Sequence, residues 1–410
     1  MGCFGEKIEE PTAWSEPPSP MSFSALRDIE KCPRRWSLKN ATFPQFSGVS
    51  GYPTKPSVPA VRGLVIHSVL EDILRRAAGE KEKTLGARVV RVLREGGGLS
   101  LIVQDHTESI LNRYSENPRA QYISAIIQRQ PEFFSQVRVA VQKTLRGLAS
   151  VHMDATSSGG PAQKDDASEN RSWKRGLLSE VPLNGPSEWY GKADLIVFDG
   201  DSVRIDDFKS GKPKDDDEEQ LRVYAWLFWR DTKWNPTGKV PTDLVLRYQN
   251  GNTALPPPSV QALERLEEDI LDRTRSAREL IEGGSYPARV DDEHCPFCPV
   301  RQMCEPYWED NQSAADSVFR DVELVVSDVL SPRTWKVRVT QGCSDLAGET
   351  CLLTGSMPDL EIAAGDTVRA LGVKVSVPDE DSPGDVVTMR LGMSSELFLV
   401  EPPVSEERAD

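Results

Sequence analysis

Residues 193–208 read ADLIVFDGDSVRIDDF, two apolar runs separated by Asp-Gly-Asp-Ser, the pattern of two strands joined by a tight turn. Runs this apolar need cover on both faces, so the pair belongs inside a sheet flanked by other elements. The second run does not end as a buried strand should. Asp206 and Asp207, then Lys209, stand where the apolar residues give out, and charge there is costly unless it is paired or bound to metal.

The surrounding pattern extends this into a fold. Residues 1–20 are rich in Pro and Glu and read as a flexible tail. Helical patterns follow, SFSALRDIEKCPRRWSLKN with Ser22 as N-cap, then VRGLVIHSVLEDILRRAAG stopped by Gly79, and others to about residue 150. Residues 154–172 form an acidic low-complexity segment, expected to be a mobile surface loop. LLSEVPL adds a strand before the central pair; after it come a helix, DEEQLRVYAWLFWRD, a strand, DLVLRYQN, and a long helix, LERLEEDILDRTRSARELIEGG. This order predicts an α/β domain over 21–310, a mixed central sheet flanked by helices. From 319 to 401 the pattern changes to short strands with Gly and Pro turns, which fits a small OB-like β-barrel, and 402–410 read as a tail.

The 410 residues carry a net charge of -15 and a mean hydropathy of -0.45. No apolar run approaches the ~20 residues of a membrane span, and the first residues lack a basic stretch followed by an apolar one, so the expected compartment is the cytoplasm. Residues 320–410 hold 8 Lys+Arg and 17 Asp+Glu, net -9, which leaves 41 and 47, net -6, for the first 319. An acidic chain is a poor generic polyanion binder, and any nucleic-acid groove is expected upstream of the barrel.

Asp194 opens one strand of the central pair, and Asp207 with Lys209 ends the other. Antiparallel neighbours could bring the two carboxylates together around a hard divalent cation. Asp207 and Lys209, two apart, leave the same face of their strand, whereas Asp206 leaves the opposite one. A cation beside a lysine suits metal-assisted phosphodiester hydrolysis, and His67 on its helix could add a ligand. Each residue alone has a plainer reading: a solvated turn, a hydrogen-bonded strand aspartate, a packed histidine. The run DDDEE at 215–219 reads as a solvated helix start favoured by the helix dipole.

Of the seven cysteines, three form C-x2-C-x5-C at Cys295, Cys298 and Cys304, and Cys32 lies far upstream. The triplet alone suits zinc and iron–sulfur equally. Cys3, Cys343 and Cys351 stand apart from it. Arg34, Arg35 and Trp36 beside Cys32 could grip phosphate and stack on a base, or pack and pair within the fold.

The succession GLVIHSVLE, GKADLIVFDGDSVRIDDFKSGK and QLRVYAWLF resembles the RecB-like branch of the PD-(D/E)XK nuclease superfamily, which includes AddB nuclease domains and CRISPR-associated RecB-like nucleases. The resemblance spans about 22–305. It implies that His67, Asp194, Asp207 and the Phe208 backbone carbonyl hold Mg2+ or Mn2+, that Lys209 is catalytic, and that Gln220 and Tyr224 help to place the lysine or the DNA backbone. Glu180 matches a secondary acidic position. Asp206 departs from the pattern, which has an apolar residue there. Cys32 with the triplet is similar to the iron–sulfur members, implying a [4Fe-4S] cluster, with structural zinc as the alternative. The implied activity is that of a DNA nuclease, an exonuclease on single-stranded ends in repair, recombination or defence. The alternative is a non-catalytic DNA-binding or scaffold subunit. The acidic barrel is expected to contact a protein partner or to pack on the nuclease domain.

Overall fold

The structure, a computed structural model, describes residues 4–46, 51–154, 173–310, 318–355, 360–377 and 386–400. Strand β1 (Phe4–Lys7) precedes helices α1 (Phe23–Lys31), α2 (Pro33–Asn40), α3 (Val58–Ala78), α4 (Leu85–Glu95), α5 (Leu99–Arg113), α6 (Ile123–Gln128) and α7 (Glu132–Leu148). Strands β2 (Trp173–Asn184), β3 (Tyr190–Gly200) and β4 (Ser202–Lys209) follow, then α8 (Asp215–Arg230), β5 (Asp243–Tyr248), β6 (Gly251–Leu255), α9 (Val260–Glu282) and α10 (Glu305–Asp310). The last part holds β7 (Phe319–Ser331), β8 (Thr334–Gln341), β9 (Thr350–Gly355), β10 (Thr367–Ser376), β11 (Thr388–Leu391) and β12 (Glu396–Val400). No described helix is long and apolar enough to cross a membrane.

Strands β2 to β6 form one sheet in sequence order, antiparallel except for the parallel pair β4–β5. The crossover through α8 makes that parallel pair possible. The apolar pair read from the sequence is β3 and β4, covered on both faces as its composition requires. Ile196, Phe198, Val203 and Ile205 join a core with α8 and α9, while Leu195, Val197 and Phe208 pack in a second core with α3 and α7. Ser22 and Ser57 cap α1 and α3 through their side chains. Strand β6, absent from the sequence reading, is a mostly exposed edge strand with no apolar alternation to betray it.

Strands β7, β8, β9, β11 and β10 run in that order, and β10 closes back on β7 as a five-stranded barrel around Val337, Leu353, Val368 and Met389. β9 and β11 are parallel, β12 pairs with the outer edge of β10, and β1 pairs in parallel with β12 from Phe4–Glu396 to Lys7–Leu399. The expectation of a free tail at 1–20 is therefore corrected: part of it is sheet, and Thr12 bonds the Thr42 carbonyl. Strand addition uses backbone groups, which a Pro- and Glu-rich composition does not remove. The expected acidic loop lies outside the described residues apart from Asp154, and the tail at 402–410 lies wholly outside them.

Arginines bind the barrel to the sheet-bearing part. Arg119, fully buried, donates from Nε and Nη2 to the two oxygens of buried Glu396 at 2.8 and 3.0 Å. Arg369 of β10 reaches the Gln302 carbonyl at 2.7 Å and Glu305 at 2.8 Å, and Tyr307 donates to Asp321 at 2.9 Å. Removing one member of a buried pair leaves the other uncompensated. Arg119→Ala is expected to destabilise the protein by about 3–5 kcal/mol, read from urea unfolding; a loss below about 1 kcal/mol would show that the junction does not depend on this pair.

Candidate active site

Three strands deliver the carboxylates. Ser179 faces Leu195 and Val181 faces Ala193, which sets Glu180 across from Asp194. The last β3–β4 pair is Leu195 with Asp206, so the next step along the ladder sets Asp194 across from Asp207. Glu180, Asp194, Asp207 and, two residues on, Lys209 thus leave one face of the sheet. The ladder stops there, and Asp194 Oδ2 accepts the Phe208 amide at 2.6 Å, satisfying a donor that strand pairing no longer uses. Glu180 has φ 52°, a left-handed backbone that costs a side-chain-bearing residue about 1–3 kcal/mol and tends to persist at functional sites.

Helix α3 supplies the imidazole. A Cβ on Gly63 would lie 2.6 Å from Ser210 Oγ, so α3 rests on the end of β4 only because residue 63 has no side chain. One turn later, on the same helix face, His67 Nδ1 stands 3.6 Å from Asp194 Oδ1. The ligating atoms of His67, Glu180 and Asp194 all lie within 4.8 Å of one another. An imidazole with two carboxylates is a donor set for a small divalent cation such as Mg2+ or Mn2+.

The electrostatics agree with a cation site. Burial raises the Asp207 pKa to about 7, Asp194 adds to the rise, and Lys209 only partly opposes it. Burial also raises the Glu180 pKa against the pull of Lys192. For His67, burial acts to lower the pKa, but the neighbouring carboxylates, Asp194 foremost, raise it on balance. Desolvated carboxylates in one row are costly as a set until a positive charge joins them.

Lys209 sits beside that row. Its Nζ is 2.7 Å from Asp207 Oδ2 and 3.5 Å from Asp217 Oδ1, and it donates to Gln220 Oε1. Gln220 Nε2 donates in turn to the Tyr224 hydroxyl at 3.0 Å. Asp217 is buried, and its Oδ2 accepts from the Lys214 amide and the Tyr248 hydroxyl, both at 2.9 Å. The solvated reading of 215–219 is thus wrong for Asp217, and Asp216 is half-buried against Arg27. Asp217, Gln220 and Tyr224 follow i, i+3, i+7 spacing, a single helix face that marks them as a set. An open cleft of 510 Å3 exposes His67, Asp194, Asp207, Lys209, Gln220 and Tyr224, with Arg62, Lys212 and Lys214 also in its lining. It shares His67 and Asp194 with a 780 Å3 cleft beside Leu64 and Tyr190.

Other expectations resolve differently. Asp206 points to the opposite face and is fully buried, with Arg247 Nε at 2.7 Å and Arg204 Nε at 3.0 Å, so it is a structural ion pair. Trp36 packs in the core at 5% exposure and has no face free to stack on a base. Arg35 bonds Asp28 at 2.9 Å and Arg34 the Met303 carbonyl at 3.3 Å. Of the two readings of Arg34, Arg35 and Trp36, these contacts favour packing and pairing, which join α2 to neighbouring parts of the fold.

That junction brings Cys32 to the triplet. The Arg34 amide donates to the Pro287 carbonyl, and Cys32, Cys295, Cys298 and Cys304, all free and half-buried, interact electrostatically with one another. Burial raises the Cys298 thiol to about 11 and lifts those of Cys295 and Cys304. The Arg35 and Asp291 amides point at the sulfurs of Cys32 and Cys295, at 3.4 and 3.3 Å. Among the described residues, the group compact enough for one ion, with ligand atoms within 4.8 Å, is His67, Glu180 and Asp194 rather than the thiols.

Carboxylates and an imidazole at the parting of two strands, beside a clamped lysine, form the kind of site that metal-dependent phosphodiesterases use. The sequence model of the PD-(D/E)XK nuclease superfamily matches residues 20–305, more than half of the chain, and the protein belongs to that superfamily. Its members are generally metal-dependent phosphodiesterases that act on nucleic acid. No curated protein matches the chain. Among solved structures it is similar to the crystal structure of SSO0001, at 15% identity over 60% of this chain and 96% of that one, with a TM-score of 0.22, a likeness too slight to carry any inference.

Asp207 gives a pH test. Its folded pKa of about 7 lies above the unfolded value of about 3.9, so between them the folded state binds more protons. Stability of the metal-free protein therefore falls as pH rises through that window. Asp207→Asn is expected to melt above the parent at pH 8, with the difference vanishing near pH 4; a gap independent of pH would contradict the buried, crowded carboxylate.

Proposed function

We propose that the protein is a metal-dependent deoxyribonuclease that hydrolyses phosphodiester bonds, acting as an exonuclease on single-stranded DNA ends in repair, recombination or defence. The observation that carries this is the row of Glu180, Asp194 and Asp207 with Lys209 clamped between Asp207 and Gln220. His67, Glu180, Asp194, Asp207 and the Phe208 carbonyl would hold Mg2+ or Mn2+. A bound cation would polarise the phosphate and lower the pKa of an attacking water. The chain's own part is to orient. Asp207, Gln220 and Asp217 hold the Lys209 ammonium at the cleft, where it can fix that water or meet charge developing on the phosphate. Tyr224 holds Gln220 in turn. Lys212, Lys214 and Arg62 supply charge for flanking phosphates, and the joined clefts fit a polymer that enters beside the metal site. An intact set of this kind favours an enzyme over a scaffold subunit.

The chain would divide into a nuclease domain at 21–310 and a barrel at 319–401. The four cysteines fit a [4Fe-4S] cluster better than zinc, because tetrahedral zinc with ~2.3 Å bonds needs sulfurs about 3.8 Å apart, and no three of these sulfurs lie within 4.8 Å of one another. Amide donors to sulfur also suit a cluster, and its role would be to staple α1–α2 to the end of the domain. The β7-β8-β9-β11-β10 order, closed by β10–β7 and with one parallel pair, supports an OB-like barrel. Because Glu396 and Asp321 are engaged within the chain, packing on the nuclease domain takes precedence over an external protein partner.

End-labelled single- and double-stranded DNA incubated with Mg2+ or Mn2+ tests the nuclease reading. Shortening by the parent is expected, with Lys209→Ala slower by about 10²–10⁴-fold and Asp194→Ala inactive. Equal activity in all three proteins, or none in the parent on either substrate, would refute it. Anaerobically purified protein is expected to be brown, with a broad visible absorption that bleaches on reduction; a colourless protein carrying stoichiometric zinc would replace the cluster.

A further inference from the structure

The C-terminal part is acidic as a whole, yet one face of its barrel is not. The register lays out the outward positions of four adjacent strands. Lys336 of β8 faces Leu352 of β9, which faces Thr388 of β11. Thr334 faces Thr354, then Arg390, then Lys374 of β10. Arg338 faces Thr350. Trp335, Val337, Cys351, Leu353, Met389 and Leu391, which alternate with these residues, are buried, so the face is fixed by the pleat.

Lys336, Arg338, Lys374 and Arg390 are all exposed. They are four of the eight Lys and Arg in residues 320–410, and among the described residues none makes an ion pair. Their neighbours on β8, β9, β11 and β10 are threonines, Leu352 and Ser376, and the one acid across from them is exposed Asp328 of β7, which faces Lys336 at the margin without forming an ion pair with it. Several of the acids that set the net charge are engaged within the chain: Glu396, Asp321 and Glu323 by Arg119, Arg301 and Arg369.

Unpaired cations among hydroxyl groups are donors for phosphate oxygens, and exposed Phe319 of β7, across from Lys374 at the margin of the face, is its aromatic neighbour. We propose that this face of the barrel is a second binding surface for the sugar–phosphate backbone of the substrate strand, contacted without regard to sequence. The sequence-level expectation that the barrel is too acidic to touch nucleic acid is thereby reversed for this face. The identity of the polyanion rests on the nuclease reading, but the test is binding and does not require cleavage.

Binding of a fluorescent 30-nucleotide single strand to the full-length protein in EDTA, followed by anisotropy from 50 to 300 mM salt, reads the surface directly. The quadruple variant Lys336→Gln, Arg338→Gln, Lys374→Gln, Arg390→Gln is compared with a charge-matched control, Lys81→Gln, Lys83→Gln, Arg94→Gln, Arg146→Gln. Each phosphate contact contributes about 0.7 to the slope of log affinity against log salt. The quadruple variant is therefore expected to bind at least ~10-fold more weakly at low salt, with the slope reduced by about 2.8, while the control matches the parent. Parent-like affinity and slope in the quadruple variant would overturn the proposal, as would equal weakening in the control. A poly-aspartate peptide that binds through these four residues while DNA does not would assign the face to an acidic protein segment instead. Tight binding without cleavage by the parent would remove the nuclease reading and leave this one standing.

Discussion

The site depends on the place where β3 and β4 stop pairing. Beyond Leu195–Asp206, the Phe208 amide turns to the Asp194 carboxylate, and that single substitution of side chain for backbone opens the sheet without orphaning a donor. It fixes one oxygen of Asp194 and leaves the other toward His67. It also frees the end of β4 to carry Asp207 and Lys209 into the cleft. A ladder running one residue further would have taken the Phe208 amide for itself and left Asp194 without an anchor.

The same economy appears around the lysine. Two of the three groups around Lys209 are themselves held: Asp217 by Lys214 and Tyr248, Gln220 by Tyr224. An ammonium on four methylenes has much rotameric freedom, and a rigid acceptor set removes it before any substrate arrives. On the other face of β4, Asp206 is neutralised by Arg247 and Arg204. Two adjacent aspartates thus serve opposite purposes, one closing a core and one opening a site, and the pleat alone separates them.

Much of this was legible because period-2 and period-3.6 patterns are local. The sheet, the two-apart placement of Asp207 and Lys209, the opposite orientation of Asp206 and the His67 helix all follow from spacing. What was not legible depends on contacts far apart in sequence. Glu180 was named as a secondary acidic position, but its place across from Asp194 came only through the β2–β3 register and a left-handed backbone that no composition announces. Trp36 and its arginines looked like a nucleic-acid contact, but the α2 packing that buries the indole involves residues some 150 to 270 positions later. The net charge of the barrel concealed its distribution, since a sum over residues carries no information about which strand face each occupies. The recognition of the superfamily came from the succession of motifs, and the site's geometry gives each of those motifs a place.

The pairing of β1 with β12 has a temporal meaning. Phe4 and Glu396 are neighbours in the sheet but lie about 390 positions apart in the sequence, so during synthesis β1 leaves the ribosome long before its partner strand. The helix-covered sheet can complete its own core beforehand, since its strands span only residues 173–255. The parallel β1–β12 ladder is then made only after β12 emerges. Strand β1 therefore acts as a latch that a chain stalled or cut before β12 cannot fasten.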